Sequence, residues 1–175
     1  MKQSLTSGAD YSGDGATIGI VSARFNGNFV ENMRIAAHSA LLENNVSENN
    51  ITNVYVPGAF ELPITCKNMA TSGRYSGIIA LACVIRGGTP HFDYVCQGCT
   101  SGIQQASLET NVPIAFGVLT TDAEWQARVR SAPMDQPTRM PDGSMSMQSP
   151  HTNKGRDAAL CVLEMINVLK SIKTK

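Results

Sequence analysis

Arg86-Gly87-Gly88-Thr89-Pro90-His91, between an apolar run and a helix-like stretch, is the part of this 175-residue chain best equipped for chemistry. The N–H groups of the glycine pair and the Thr89 hydroxyl are placed to hold an anion at the positive end of the following helix, and phosphate is the natural guest. The same glycines also suit a plain tight turn, and the tripeptide alone leaves both readings open. A histidine at a helix N-terminus has its cationic form disfavoured by the helix dipole. His91, at such a position, is a candidate for proton transfer. A lone histidine is more often structural, but the adjoining anion turn favours catalysis. His38 and His151 read as surface or packing residues.

Two further segments carry groups of interest. Phe25 and Phe60 are large apolar residues in loop-like stretches, where they either fill the core or stack on a planar ring. Glu61 either serves the first turn of a helix or accepts hydrogen bonds from a polyol or a heterocycle N–H. Cys96-Gln97-Gly98-Cys99 is formally a CxxC motif. It has no second pair for zinc and falls inside a helix rather than at its start, so neither a metal nor a redox role is expected.

These residues need strands and helices to position them, and the apolar periodicity supplies four β-α units. Thr17 to Ser22 reads as a strand and Phe29 to Asn44 as an amphipathic helix, after a turn, Arg24 to Asn28, that offers N-cap residues. Ile51 to Val56 is the next strand and Phe60 to Ala70 the next helix. Gly77 to Ile85 is almost continuously apolar, as a central strand covered on both faces must be. A helix from about His91 to Leu108, a strand from Pro113 to Leu119, a helix capped by Thr120-Thr121-Asp122 and a last helix from Lys154 to about Ile172 complete the series. Such a chain forms a parallel sheet with helices on both faces and right-handed crossovers. Ligands collect beyond the carboxyl ends of such strands, where Arg24 to Asn26, Pro57 to Glu61, Arg86 to His91 and Leu119 to Thr121 fall.

Composition narrows the function. There are 14 Lys and Arg against 14 Asp and Glu, and charged residues are 16% of the chain where roughly 25% is usual. No basic excess exists to bind nucleic acid or an anionic membrane, and no apolar run approaches the roughly 20 residues that span a bilayer. Small-molecule and protein partners are expected instead. Residues 1–16 carry no secretory or transit signal and read as a flexible tail before a single domain over 17–175, with the cytoplasm as the expected compartment. The five cysteines suit buried thiols rather than a disulfide framework. Pro133 to Pro150 holds four of the eight prolines and four of the eight methionines, and reads as a long surface loop or insertion.

The segments ARFN (Ala23 to Asn26), VPGAFELP (Val56 to Pro63), VIRGGTPHFDYV (Val84 to Val95), PIAFGVLTT (Pro113 to Thr121), NKG (Asn153 to Gly155) and LEMINVLK (Leu163 to Lys170) follow one another in an order that closely resembles the lumazine synthase family. The long stretch around His91 is the most specific of them. The resemblance implies a flavodoxin-like three-layer α/β/α sandwich that assembles into pentamers, with active sites shared between neighbouring subunits. It implies condensation of 5-amino-6-(D-ribitylamino)uracil with 3,4-dihydroxy-2-butanone 4-phosphate to give 6,7-dimethyl-8-ribityllumazine, with no metal or organic cofactor. Riboflavin synthase becomes a candidate partner. A non-catalytic flavin- or lumazine-binding or shell-forming homologue is the alternative, which has no need of the phosphate and proton-transfer groups.

By position, the resemblance makes His91 the proton-transfer residue and Gly88, Thr89, Arg130 and Lys154 the phosphate-binding set. Phe25 stacks on the pyrimidine, Ala59, Phe60 and Glu61 line the pyrimidine and ribityl site, Cys83, Val84 and Ile85 present backbone groups, and Phe116 comes from the adjacent subunit. The chain departs from the family pattern in the 22 residues from Ser131 to Thr152, where relatives have a short connection. That length puts the placement of Lys154 in question. It also leads to an expectation of isolated pentamers, or another assembly, in place of a 60-subunit shell.

Overall fold

A computed structural model describes residues 8–133, 137–146 and 153–173. Strands β1 (Ile18–Ala23), β2 (Ile51–Val56), β3 (Gly77–Ile85) and β4 (Ile114–Thr121) form one sheet in the order β2-β1-β3-β4, and every pairing is parallel. Helices α1 (Gly27–Glu43), α2 (Leu62–Thr71), α3 (His91–Thr110), α4 (Glu124–Ser131) and α5 (Lys154–Lys173) cover it. This is the expected three-layer α/β/α architecture of flavodoxin-like type.

The two sides of β3 show why a continuous apolar run marks the central strand. Ile79, Leu81 and Cys83 point into a core shared with α1, α4 and α5, whereas Ile78, Ala80 and Ala82 point into a second core with α2 and α3. Successive side chains of a strand face opposite sides, so both faces must be apolar when helices cover both.

Three local expectations shift. Residues Ala59–Glu61 form a short 3₁₀ turn, so α2 begins at Leu62 with Pro63 in its first turn, where a missing N–H costs nothing. Thr120 and Thr121 do not cap α4, because they continue β4 in register with Val84 and Ile85. The cap role falls to Gln126, whose side-chain oxygen accepts from the N–H groups of Asp122 and Ala123 at 2.9 and 3.3 Å. Within the Pro- and Met-rich stretch, β5 (Thr138–Arg139) and β6 (Met145–Ser146) make a small antiparallel hairpin apart from the main sheet. Gly143 takes φ +84° at its tip. Residues 134–136 and 147–150 of that stretch, and His151 and Thr152 after it, lie outside the described residues.

Residues 10–16, which the sequence assigns to the tail, are packed on the domain. Asn167 of α5 donates to the carbonyls of Asp10 and Ser12 at 3.0 and 2.9 Å, and the Gly13 N–H donates to the Asn44 carbonyl at 2.7 Å. Ala16 is buried in the core.

Candidate active site

The loops at the carboxyl ends of β1, β2 and β3 enclose a cavity of about 710 Å³. Phe25, Ala59, Phe60, Glu61, Cys83, Val84, Ile85, Thr89 and His91 all line it. Gly88 lies in the same turn, between the wall residues Gly87 and Thr89. Phe25 and Phe60 are 69% and 61% exposed, too much for core filling, and each offers a ring face for stacking.

Local structure fixes these positions. Asn26 adopts the left-handed conformation at φ +55°, which asparagine tolerates, and its side chain does not cap α1. Instead its Nδ2 donates to the Cys83 carbonyl at 2.8 Å, tying the β1 loop to the end of β3. That carbonyl therefore has one acceptor position occupied from within the chain. His91 is the first residue of α3, after Pro90 in the N-cap position, so the helix's unpartnered N–H groups and the imidazole meet at one end of the cavity.

The thiols are poor nucleophiles here. Burial pushes Cys83 and Cys99 up to about 12, and Cys96 is shifted in the same direction. Cys96 and Cys99 are free thiols, and among the described residues no group of three or more His, Cys, Asp or Glu side chains is arranged to hold a metal ion.

The other three expected site residues lie elsewhere. Phe116, Arg130 and Lys154 line a second concavity of about 360 Å³ beside the edge strand β4, together with Asp157 and Cys161. The Lys154 Nζ donates to Asp157 Oδ2 at 2.6 Å and the Arg130 guanidinium to the Gln126 carbonyl at 3.1 Å. Within one chain the predicted phosphate set is thus divided, with Gly88 and Thr89 at the first concavity and the two cations at the second. Despite the lengthened connection, Lys154 shares a wall with Arg130.

The rest of NKG has a purely structural job. Asn153 is buried, donates from Nδ2 to the carbonyls of Ser131 and Ala132 at 3.0 and 2.9 Å, and accepts at Oδ1 from the Gly155 N–H at 2.9 Å. One side chain joins the end of α4 to the start of α5 and brings Arg130 and Lys154 together.

Sequence reasoning missed Phe92, Tyr94 and Val95, which also line the first cavity. His91, Tyr94 and Val95 are at i, i+3 and i+4 of α3, so helical spacing could have placed them on one face. It also missed the contacts of Arg86, whose partners are Asp93 in the first turn of α3 and Asp122 in the turn between β4 and α4, a juxtaposition that no local pattern encodes.

A parallel sheet with an aromatic-walled cleft beyond its strand ends, and a histidine at the first turn of a helix, defines an α/β protein of flavodoxin-like type with a candidate small-molecule site. A family model described as 6,7-dimethyl-8-ribityllumazine synthase matches residues 15–170. A protein named 6,7-dimethyl-8-ribityllumazine synthase from Lactiplantibacillus plantarum is 44% identical over 160 residues, covering 91% of each chain. The chain belongs to the 6,7-dimethyl-8-ribityllumazine synthase family.

Proposed function

We propose that the protein condenses 5-amino-6-(D-ribitylamino)uracil with 3,4-dihydroxy-2-butanone 4-phosphate to form 6,7-dimethyl-8-ribityllumazine, the penultimate step of riboflavin biosynthesis. The uracil's amine attacks the ketone carbon and water leaves to give an imine; phosphate is then eliminated, the ribitylamino nitrogen closes the ring and a second water is lost. The carrying observation is the convergence of Phe25, Phe60, Glu61, Thr89 and His91 on one cavity in a chain of this family.

In this reading Phe25 and Phe60 hold the pyrimidine between ring faces, and Glu61 accepts from the ribityl hydroxyls. His91 carries protons to the leaving oxygen and from the carbon acids of the butanone. The N–H groups around Gly88 and Thr89 receive the phosphate. Much of the acceleration comes from holding two substrates in reacting geometry, since the described residues that line the cavity include no activated nucleophile. Phe116, Arg130 and Lys154 enter from a neighbouring copy in a pentamer; their place beside the free edge of β4, with Phe116 44% exposed, supports this arrangement. Arginine at that boundary anchors the phosphate through paired hydrogen bonds. No described helix is long and apolar enough to cross a membrane, and cytoplasmic synthesis fits the soluble substrates.

Mixing the purified protein with both substrates and following lumazine fluorescence tests the proposal. Product formation at a rate proportional to enzyme is expected. Pyrimidine binding without any product would overturn it in favour of a non-catalytic binder.

A further inference from the structure

Arg86 lies one residue beyond β3 and outside the cavity wall. Its guanidinium is held from three sides. Nη1 and Nη2 donate to the two carboxylate oxygens of Asp93 at 3.2 and 3.0 Å, and Nε donates to Asp122 Oδ1 at 2.9 Å. Its Cζ also lies over the Phe92 ring, 4.1 Å from the centroid. Asp93 belongs to the first turn of α3, and Asp122 to the turn between β4 and α4.

The consequence is geometric. Residues 87–92 supply Gly87, Thr89, His91 and Phe92 to the cavity wall, and the Arg86–Asp93 fork clamps this segment at both ends. The same side chain fixes the start of the helix that carries Arg130. A bidentate fork shared with a second carboxylate orders the groups it joins more firmly than an isolated exposed ion pair does, and here those groups flank the cavity wall.

We infer that Arg86 is a positioning residue for the reaction: one planar fork sets the first turn of α3, and with it the His91 imidazole and the anion turn, against the bound pyrimidine. The inference rests on the synthase reading above. A lysine cannot replace the fork, because an ammonium does not present two parallel N–H donors to both oxygens of one carboxylate. The pyrimidine end of the cavity is built from Phe25, Ala59 and Phe60, none of which is among the hydrogen-bond partners of Arg86. Loss of Arg86 therefore separates turnover from pyrimidine binding.

The test compares Arg86→Met and Arg86→Lys with the wild-type full chain, after native mass and melting curves have confirmed assembly. Misplacing a reacting group by about 1 Å costs up to about 100-fold in rate, so kcat is expected to fall at least about tenfold in both variants while the pyrimidine KM moves less than about threefold. Wild-type kcat in Arg86→Lys would show that charge alone suffices and would overturn the inference. So would an unchanged kcat in Arg86→Met, or a kcat loss accompanied by an equal rise in the pyrimidine KM. Should Arg86→Met fail to assemble, Asp93→Asn keeps the guanidinium and its Asp122 bond and must show the same selective kcat loss; wild-type turnover there overturns the inference. A wild-type protein without synthase activity would instead refute the reading of function.

Discussion

Gly98 of α3 lies directly against the Phe60 ring, and a Cβ added at position 98 would stand 2.7 Å from the nearest ring carbon. A mid-helix glycine costs about 1 kcal/mol relative to alanine, so the helix gives up stability where the ring needs room. Because Phe60 is largely exposed, its ring can swing away at little cost to the fold. Gly98→Ala is therefore expected to hold or raise stability by up to about 1 kcal/mol while weakening pyrimidine binding about tenfold. A thermal melt checks the stability and calorimetric titration with the pyrimidine checks the affinity, and undiminished affinity would remove Phe60 from the binding surface.

Gly155 shows the same logic applied to folding. A Cβ there would run into the Met33 backbone carbonyl, so α1 and α5 cross at a separation only glycine permits. The obstacle is backbone and cannot rotate aside. Gly155→Ala is expected to destabilise the protein by about 3 kcal/mol, the upper part of the range for overpacked cores. Asn153→Ala, which strips the cap of α5 and leaves buried carbonyls without donors, should cost about 2 kcal/mol. Urea titrations at one fixed protein concentration measure both, and losses below about 0.5 kcal/mol, as at ordinary surface positions, would contradict the packing argument.

The buried thiols give stability an alkaline limit. Burial pushes Cys66, Cys83 and Cys99 from the ordinary value of 9.0 up to about 12. Above pH 9 the unfolded chain releases thiol protons that the native chain keeps. Stability is then full below about pH 9 and falls as pH rises toward about 12, by up to about 1.4 kcal/mol per pH unit for each thiol. Denaturation midpoints between pH 8 and 11 should decline, and Cys66→Ala should flatten that decline. A slope identical to wild type would show that the Cys66 proton is not the one involved.

What the sequence made legible follows from how locally each feature is encoded. The β3 boundaries, Gly77 to Ile85, could be read because two-sided burial leaves a run with no polar residue. The cavity residues Phe25, Phe60 and His91 could be read because strand ends in a parallel sheet all open to one side. The start of α2 could not be placed to the residue, because a 3₁₀ turn and a helix share the same apolar spacing over three positions. Nor could the structural part of NKG, since Asn153 caps α5 and also reaches carbonyls 21 and 22 residues away. The Arg86 fork spans Asp93 and Asp122, which are 7 and 36 residues distant, and only the folded sheet brings them together.

The separation of His91 from Arg130 within one chain yields the most discriminating prediction. If His91 carries the proton, as proposed above, His91→Ala should slow turnover about 100-fold without abolishing it, since binding and orientation survive. Arg130→Ala should raise the KM for the butanone phosphate and lower turnover as well. If each site takes His91 from one copy and Arg130 from the next, a ring built from both variants contains some boundaries where an intact His91 meets an intact Arg130. Random mixing of equal amounts in a cyclic assembly makes about a quarter of the boundaries fully wild type. Dissociating the two variants, mixing them and reassembling them should then restore about a quarter of wild-type activity, far above either variant alone. Activity equal to the average of the two separate variants would place both residues at a site within one subunit.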